Sequence, residues 1–406
     1  RQLFEETVKI IARYDGHVDR ILWDGVLAVF GMPHAHEDDA IRAVRAAIEI
    51  HRMVSRLESR LTDRIGVALA MRSGVATGLV VTGSAEERTG RHGITGETVN
   101  LAARIRDMAH PGEVVGESSV YSAAAGFFHF SPSKPVSVKG RTQPVLVYGV
   151  QSLVSRPDKV RRIHGLKARL VGRERELKTM EDAALRLQRR EGTVITVCGD
   201  AGTGKSRLIA DFKRSYSARD VRWLDGYAYA YNGGVPYYPF IDMLTRLFDI
   251  SDADGQAIIE VKLRAGIGPL LDDLEAVVPF LAGLYAISPS EALQAGPEVY
   301  KAQLQNAFIA LFSALARRGP TIVCIEDLHW ADPSSLALLR FILRESGLPI
   351  LFVISHRPVL DFLGDRRGQR LSYEHKSLRL KDLDAPSSRE MVRSLMNTRT
   401  IPAALE

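Results

Sequence analysis

Cysteine is nearly absent from the 406-residue sequence: Cys198 and Cys324 stand alone, each inside an apolar run. Two such thiols exclude a disulfide framework and a cysteine metal site, and fit buried residues of a reduced protein. No apolar run approaches the roughly eighteen residues a spanning helix needs, and no basic-then-apolar N-terminus marks a signal peptide. These absences predict a cytoplasmic chain without a membrane segment. Internal repeats and low-complexity tracts are also missing, which excludes solenoid and compositionally disordered architectures.

What is present is a soluble globular composition, 46% hydrophobic and 25% charged, in a length that predicts two or three domains. Arg1 and Glu406 both read as cut ends, which leaves room for a helical-repeat or DNA-binding module beyond Glu406. The net charge of +6 is concentrated between Arg156 and Arg169, where Lys159, Arg161, Arg162, Lys167 and Arg169 face a single acid, Asp158. That stretch reads as a solvated basic linker, and no direct nucleic-acid motif accompanies it. It divides the chain into residues 1–151, a linker at 152–169 and residues 170–406.

The two halves differ in pattern. Before the linker, short alternating runs (Val26 to Phe30, Ile65 to Met71, Val80 to Thr82, Val136 to Val138, Val145 to Val150) interleave with helical patterns at Asp38 to Leu57 and Thr98 to Ala109. This predicts an α+β fold with one antiparallel sheet. After the linker, longer apolar runs (Val194 to Cys198, Thr321 to Ile325, Ile350 to Ser355) alternate with amphipathic helices, the pattern of an α/β fold with a mainly parallel sheet.

The most informative motif lies in the second half. Gly199, Asp200, Ala201, Gly202, Thr203, Gly204, Lys205 and Ser206 match GxxxxGK[ST] and follow an apolar β-branched run, with Arg207 next. Glycines let such a loop curl so that successive backbone N–H groups face phosphate oxygens, while a helix starting near Lys205 adds its positive end. Lys205 is expected to reach the β and γ phosphates of ATP, and Ser206 to hold Mg²⁺. A second acidic element is expected at the end of another buried strand, where Glu326 would serve the metal and, with Asp327, orient water. Asp332 and Pro333 then signal the cap and first turn of a helix carrying Leu336, Leu338, Leu339 and Ile342. The run ending at His356 and Arg357 places Arg357 where a γ-phosphate sensor would stand.

Together, Leu170-Val171-Gly172-Arg173-Glu174-Arg175-Glu176, the phosphate loop, and Glu326-Asp327-Leu328-His329-Trp330-Ala331-Asp332 resemble the AAA-related STAND group of signal-transduction ATPases. The resemblance implies a P-loop switch that binds and slowly hydrolyses ATP. Two other patterns read as core. Tyr227, Tyr229, Tyr231, Tyr237, Tyr238 and Phe240 suggest an edge strand and a following helix, and Leu304, Phe308, Leu311 and Leu315 line one face of a helix around Val299 to Leu315.

In the first half, Arg20 to Phe30 forms two apolar segments around Asp24-Gly25, a hairpin signal. Gly96 to Arg104 places Asn100 and Arg104 at i and i+4 on one helical face, an amide and a forked guanidinium suited to a phosphate-bearing ligand. His34, His36, Glu37, Asp38 and Asp39 look like a metal cluster, but acids in the first turn of a helix complement its dipole without any metal.

These segments, with Val138-Lys139-Gly140-Arg141-Thr142-Gln143-Pro144-Val145, resemble the class III adenylate/guanylate cyclase catalytic domain from Arg1 to about Gln151. The resemblance implies a ferredoxin-like cyclase fold lacking its first strand, and a two-metal conversion of ATP to cyclic AMP and pyrophosphate at a homodimer interface with Mg²⁺ or Mn²⁺. Asp24 matches a metal aspartate, Asn100 the ribose-orienting residue and Arg104 the transition-state stabiliser, the last two acting across the dimer on the partner's metals. Arg20 and Gly93 match the purine-reading positions. Trp23 stands where the family usually has Gly, and Gly93 has no side chain to read a base, so only modest selectivity of ATP over GTP is expected. The alternative is an ATP-dependent regulator, transcriptional or otherwise, whose cyclase-like domain senses nucleotide or dimerises.

Overall fold

The computed structural model describes residues 2–22, 25–33, 35, 36, 38–65, 70–82, 93–137, 144–154, 170–216, 220–229, 235–251, 254–285, 287, 296–360 and 372–396. They fall into two compact units, within residues 1–164 and 165–406.

The first unit runs α1 (Gln2–Arg13), β1 (Gly16–Ile21), β2 (Val26–Phe30), α2 (Asp39–Ile65), β3 (Ser73–Val75), β4 (Val81–Thr82), β5 (Ile94–Thr95), α3 (Glu97–Met108), β6 (Val114–Glu117), α4 (Ser118–Ala124), β7 (Phe128–Phe130), β8 (Lys134–Val136) and β9 (Val145–Leu153). β1 and β2 form the expected antiparallel hairpin, closed where the Leu22 N–H donates to the Gly25 carbonyl at 2.7 Å. A mixed sheet is ordered β3-β6-β9-β7, with β8 also on β9, and β4 and β5 make a short ribbon. The single antiparallel sheet expected from the alternating runs is therefore corrected: β3 and β6 are parallel. They are joined through α3, a crossover that alternation within one strand cannot reveal.

Of the strand expected at 65–71, Ile65 instead closes α2, whose 3.6-residue apolar period continues past Leu57, residues 70 and 71 are not in a strand, and residues 66–69 lie outside the described residues. Ile10 and Ile11 of α1 pack against Ala46, Ile50 and Val54 of α2, with Val18, Val26 and Phe30 of the hairpin alongside. Leu101 and Ile105 of α3 pack on Val115, Val145 and Val147 of the mixed sheet. Each such buried aliphatic side chain contributes about 1.5–3 kcal/mol, which fixes the face α3 turns to the sheet.

At the start of α2, Asp38 and Asp39 do more than complement a helix dipole. Both pair with the fully buried Arg42, which also donates to Asp15 at 3.1 Å, while His36 lies 3.7 Å from Asp39. A buried guanidinium needs such partners because its desolvation is otherwise uncompensated. His34 and Glu37 lie outside the described residues.

His51 ties α2 to the sheet. Its Nδ1 meets the Gly112 carbonyl at 3.2 Å, which accepts only, so Nδ1 carries the proton and Nε2 accepts from the Ser73 hydroxyl at 2.9 Å. Burial holds the imidazole below its ordinary value of 6.5, partly countered by the Gly112 carbonyl. Between the depressed folded pKa and 6.5 the unfolded chain binds more protons, so this contribution is full above about pH 6.5 and is lost as pH falls through the folded value. The unfolding midpoint of the first unit is expected to drop on acidification across that window, and His51→Gln to flatten the dependence. An unchanged pH profile in the variant, followed by circular dichroism, would contradict it.

The second unit runs α5 (Glu174–Gln188), β10 (Thr193–Cys198), α6 (Lys205–Ser215), β11 (Arg222–Tyr227), α7 (Tyr238–Leu247), α8 (Gln256–Ile267), α9 (Val278–Gly283), α10 (Pro297–Arg318), β12 (Thr321–Glu326), a 3₁₀ turn at Leu328–Trp330, α11 (Pro333–Glu345), β13 (Ile350–His356), β14 (Glu374–Arg379) and α12 (Ala385–Met396). Five parallel strands are ordered β11-β12-β13-β10-β14. One face packs on α7 to α11 through Phe240, Leu263, Leu281, Phe308 and Leu339, and the other on α5 and α6 through Met180, Ala183, Leu208 and Phe212.

The edge strand expected from the tyrosine-rich segment is corrected: β11 is an edge strand but ends at Tyr227, Tyr229 is buried beyond it, and Tyr231 lies outside the described residues. Leu304, Phe308, Leu311 and Leu315 of α10 are core. Cys324 is buried, but Cys198 is only partly so, a correction to the expectation for both thiols. It ends β10, where the chain leaves the sheet for the glycine loop. Among the described residues no helix is long and apolar enough to cross a membrane.

Candidate functional site

In the second unit, β10 leads through residues 199–204 directly into α6, whose first residue is Lys205. Gly202 and Gly204 have φ of 81° and 91°, a left-handed conformation that glycine adopts without strain, and this lets the loop wind back over the helix start. Lys205 is only 7% exposed, and its Nζ donates to the carbonyls of Gly199 at 2.9 Å and Asp200 at 2.7 Å. The ammonium is thus held inside the loop's curl. Thr203 braces the loop from within, its hydroxyl donating to the Asp200 carbonyl at 2.9 Å. Asp200, Ala201 and Gly202 are exposed and Ser206 is half-buried. Arg207 turns back along α6 to Asp211 at 2.7 Å.

Glu326 ends β12 and is 6% exposed; Asp327 follows with φ of 59°, a turn that sends the chain into the 3₁₀ segment. β13 lies between β10 and β12, so its end is flanked by both the glycine loop and the acidic pair. The Ser355 hydroxyl accepts from the Asp327 N–H at 3.0 Å and ties those strand ends together. Beyond β13, the Arg357 guanidinium rests over the Trp330 ring at 5.7 Å, beside the turn that follows the acidic pair. Asp332 caps α11 as expected, accepting from the Ser335 N–H at 2.9 Å.

Tyr227, opposite Glu326 across β11 and β12, has its phenol pushed well up by burial and then by the Glu326 charge. Arg246 stacks over its ring at 4.7 Å and pairs twice with Asp242, at 3.0 and 3.1 Å. Oxygen donors at Ser206 and Glu326, on the same end of the parallel sheet, suit a hard cation such as Mg²⁺.

In the first unit, α3 presents Asn100 exposed and Arg104 half-buried, one turn apart. The ribbon strand β5 leads into α3 through Gly96. Arg20, from β1, reaches this ribbon: its Nη2 donates to the Ile94 carbonyl at 2.7 Å, next to Gly93, and its Nε to Asp19 at 2.7 Å. Asp19 is buried and also accepts from the Ile94 N–H at 3.0 Å. A Cβ added at Gly93 would meet no described atom within 4 Å. The fold thus brings Arg20 and Gly93 together, 73 residues apart in sequence, at the head of the helix carrying Asn100 and Arg104. Asp24 and Trp23 lie outside the described residues, as do Lys139, Gly140 and Arg141.

Sequence reasoning missed Asp19 and Ser355 as parts of these sites. Asp19 and Ser355 are acceptors for backbone N–H groups distant in the chain, and no local pattern signals such a role.

Comparison with known proteins matches each unit to a family. Residues 2–152 match the family model described as adenylate and guanylate cyclase catalytic domain, and residues 169–354 match that of the AAA ATPase domain. The first unit belongs to the class III cyclase catalytic-domain family, and the second is an AAA-type ATPase domain of α/β P-loop architecture. An uncharacterized protein of Rhizobium meliloti is 30% identical over 367 residues, 86% of this chain and 34% of the relative. An uncharacterized Mycobacterium tuberculosis protein is 29% identical over 153 residues, 35% of this chain and 26% of that protein. The chain therefore spans about a third or less of these relatives' length. Among solved structures, the guanylyl cyclase Cya2 is 30% identical over 37% of this chain and 78% of that one, with a TM-score of 0.36. The adenylyl cyclase CyaB from P. aeruginosa is 27% identical over 37% of this chain and 79% of its own, with a TM-score of 0.35.

Proposed function

We propose that the chain is the catalytic and switch portion of a cytoplasmic signalling adenylate cyclase, divided into a cyclase domain at 1–151, a basic linker at 152–169 and a STAND-type ATP switch at 170–406. The observation that carries the cyclase reading is the frame built by Arg20, Ile94 and α3. A guanidinium beside an open Gly93 stands at one end, and Asn100 and Arg104 stand within two turns of the same continuous segment. In this reading the 3′-hydroxyl of ATP loses its proton to water as its oxygen attacks the α-phosphorus, and the bond to the bridging oxygen breaks to release pyrophosphate. Asn100 orients the ribose, and Arg104 holds the negative charge that grows on the α-phosphate oxygens. When bound, two Mg²⁺ or Mn²⁺ ions would lower the hydroxyl's pKa and neutralise phosphate charge; of their ligands, this chain's Asp24 is assigned by resemblance alone.

Arg104 and Asn100 are assigned to the partner's metals, so the active species is a homodimer. Exposed Ile21, Leu22, Leu79 (93% exposed) and Val81, on the hairpin end and the ribbon region that Arg20 ties together, supply apolar surface of the kind such an interface covers. In the second unit, Lys205 and the loop N–H groups bind the ATP phosphates, Ser206 and Glu326 hold Mg²⁺, Asp327 and Glu326 orient water, and Arg357 senses the γ-phosphate.

The test is cyclic-nucleotide formation from ATP and from GTP by the full-length protein, with Mg²⁺ or Mn²⁺. Cyclic AMP is expected, with ATP favoured over GTP by less than about tenfold, since Gly93 contributes no base contact. No product in any nucleotide state of the second unit would favour the regulator reading.

A further inference from the structure

Arg173 is one of few charged side chains in the second unit that are almost fully buried, at 8% exposure, and none of the assigned roles uses it. Its Nη2 donates to two backbone carbonyls from distant parts of the chain: Thr203 of the glycine loop at 3.2 Å, and Lys381, two residues beyond β14. Glu176 lies 3.6 Å from its Nη1 and holds the fork in place. The same region is tied to β10, where the Leu380 N–H donates to the Cys198 carbonyl at 2.7 Å. From Lys381 the chain runs to Asp384, whose carboxylate accepts from the Ser387 N–H at 2.9 Å in the first turn of α12. Gly172, with φ of 68°, packs so closely on that turn that an added Cβ would lie 2.8 Å from Ser387 Oγ and 3.0 Å from its Cβ.

The Thr203 contact has a directional consequence. In a trans peptide the carbonyl and the following N–H point in opposite directions. With the Thr203 carbonyl drawn toward Arg173, the Gly204 N–H is turned the other way, toward the concave side of the loop where a phosphate would accept it. We propose that Arg173 is a positioning residue that presets the glycine loop for phosphate and couples its occupancy to the docking of α12. This rests on the nucleotide reading of the loop. A phosphate that draws the Gly204 N–H inward reinforces the Thr203 carbonyl's orientation toward Arg173, and the same nitrogen holds the segment that leads into α12. By linkage, whatever loosens α12 must weaken nucleotide binding to the same extent that nucleotide tightens α12.

The test measures ATP affinity by calorimetry and amide exchange of residues 385–396 by mass spectrometry, in the full chain with and without Mg·ATP. In the wild type, ATP is expected to slow exchange in α12. Arg173→Ala is expected to bind ATP at least fivefold more weakly and, at saturating ATP, to show no slowing in α12. Arg173→Lys, which keeps the charge but not the fork, should fall between the two. Gly172→Ala leaves the Arg173 donors in place but strains a left-handed backbone position and drives a methyl group into Ser387 and toward Leu383, and should weaken ATP binding by the same route. Adding Ser387→Gly should then restore part of that affinity, which general destabilisation would not do. Wild-type affinity in Arg173→Ala, or undiminished ATP-dependent protection of α12 in that variant, would overturn the inference while leaving the nucleotide site standing. Absence of ATP binding by the wild type would remove the nucleotide reading itself, and the coupling with it.

Discussion

Lys205→Ala is expected to weaken ATP binding to the second unit at least tenfold, about 1.4 kcal/mol or more. The ammonium is buried within the loop and already oriented by the Gly199 and Asp200 carbonyls, so little side-chain entropy is left to lose when phosphate arrives. Charge-assisted bonds to phosphate are roughly twice as strong as neutral ones, and a partly dehydrated loop screens them less than bulk water does. Removing the side chain leaves the backbone N–H cradle intact, so binding should be weakened rather than abolished, and the variant should remain folded. Equal affinity of variant and wild type in a calorimetric titration would sink the P-loop assignment.

The second large effect is expected in the cyclase. Asp24→Ala and Arg104→Ala should each lower cyclic-nucleotide formation by at least about a hundredfold, the scale seen when one group that stabilises transition-state charge is removed. If the two residues serve one composite site from different chains, mixing the inactive variants should restore activity. With random exchange half of the dimers are mixed, and one of the two sites in each is intact, so recovery of about a quarter of wild-type activity is expected. Single variants that remain active, or a mixture that stays silent although exchange is demonstrated, would overturn the shared-site geometry. Arg104 is half-buried on a helix that Leu101 and Ile105 anchor to the sheet, so its replacement should alter chemistry more than folding.

Both assignments began in local sequence, and the reasons differ. The glycine loop was legible because its function needs consecutive residues: a strand to launch it, glycines at positive φ and a helix to receive it. The structure shows Gly202, Gly204 and the helix start at Lys205 in those places. Asn100 and Arg104 were legible because one helical turn is enough to align them. Asp332 and Pro333 marked the start of α11 for the same reason, a cap being a three-residue event.

What the sequence left open involves pairing between distant segments. Alternation predicted strands at 80–82, 136–138 and 145–150, but it carries no information on which strand lies beside which, and β3 and β6 proved parallel through α3. The helical period of α2 carried past Leu57 to Ile65, where apolar residues alone had suggested the start of a strand. Asp38 and Asp39 looked like dipole-complementing acids until the fold buried Arg42 among them.

By itself, then, the sequence determined the chemistry that neighbouring residues can perform: the phosphate loop, the acidic strand end and the polar pair on α3. Only the tertiary structure decided which distant groups share a site. It set Arg20 against Ile94 beside Gly93, placed β13 between the loop strand and the acidic strand, and ran Arg173 from the Thr203 carbonyl to that of Lys381. The reason is that these partners are mostly backbone carbonyls and N–H groups, which every residue carries alike. Their meeting is fixed by strand order and by the burial that makes an unpaired polar group costly, and neither is written in local residue identity.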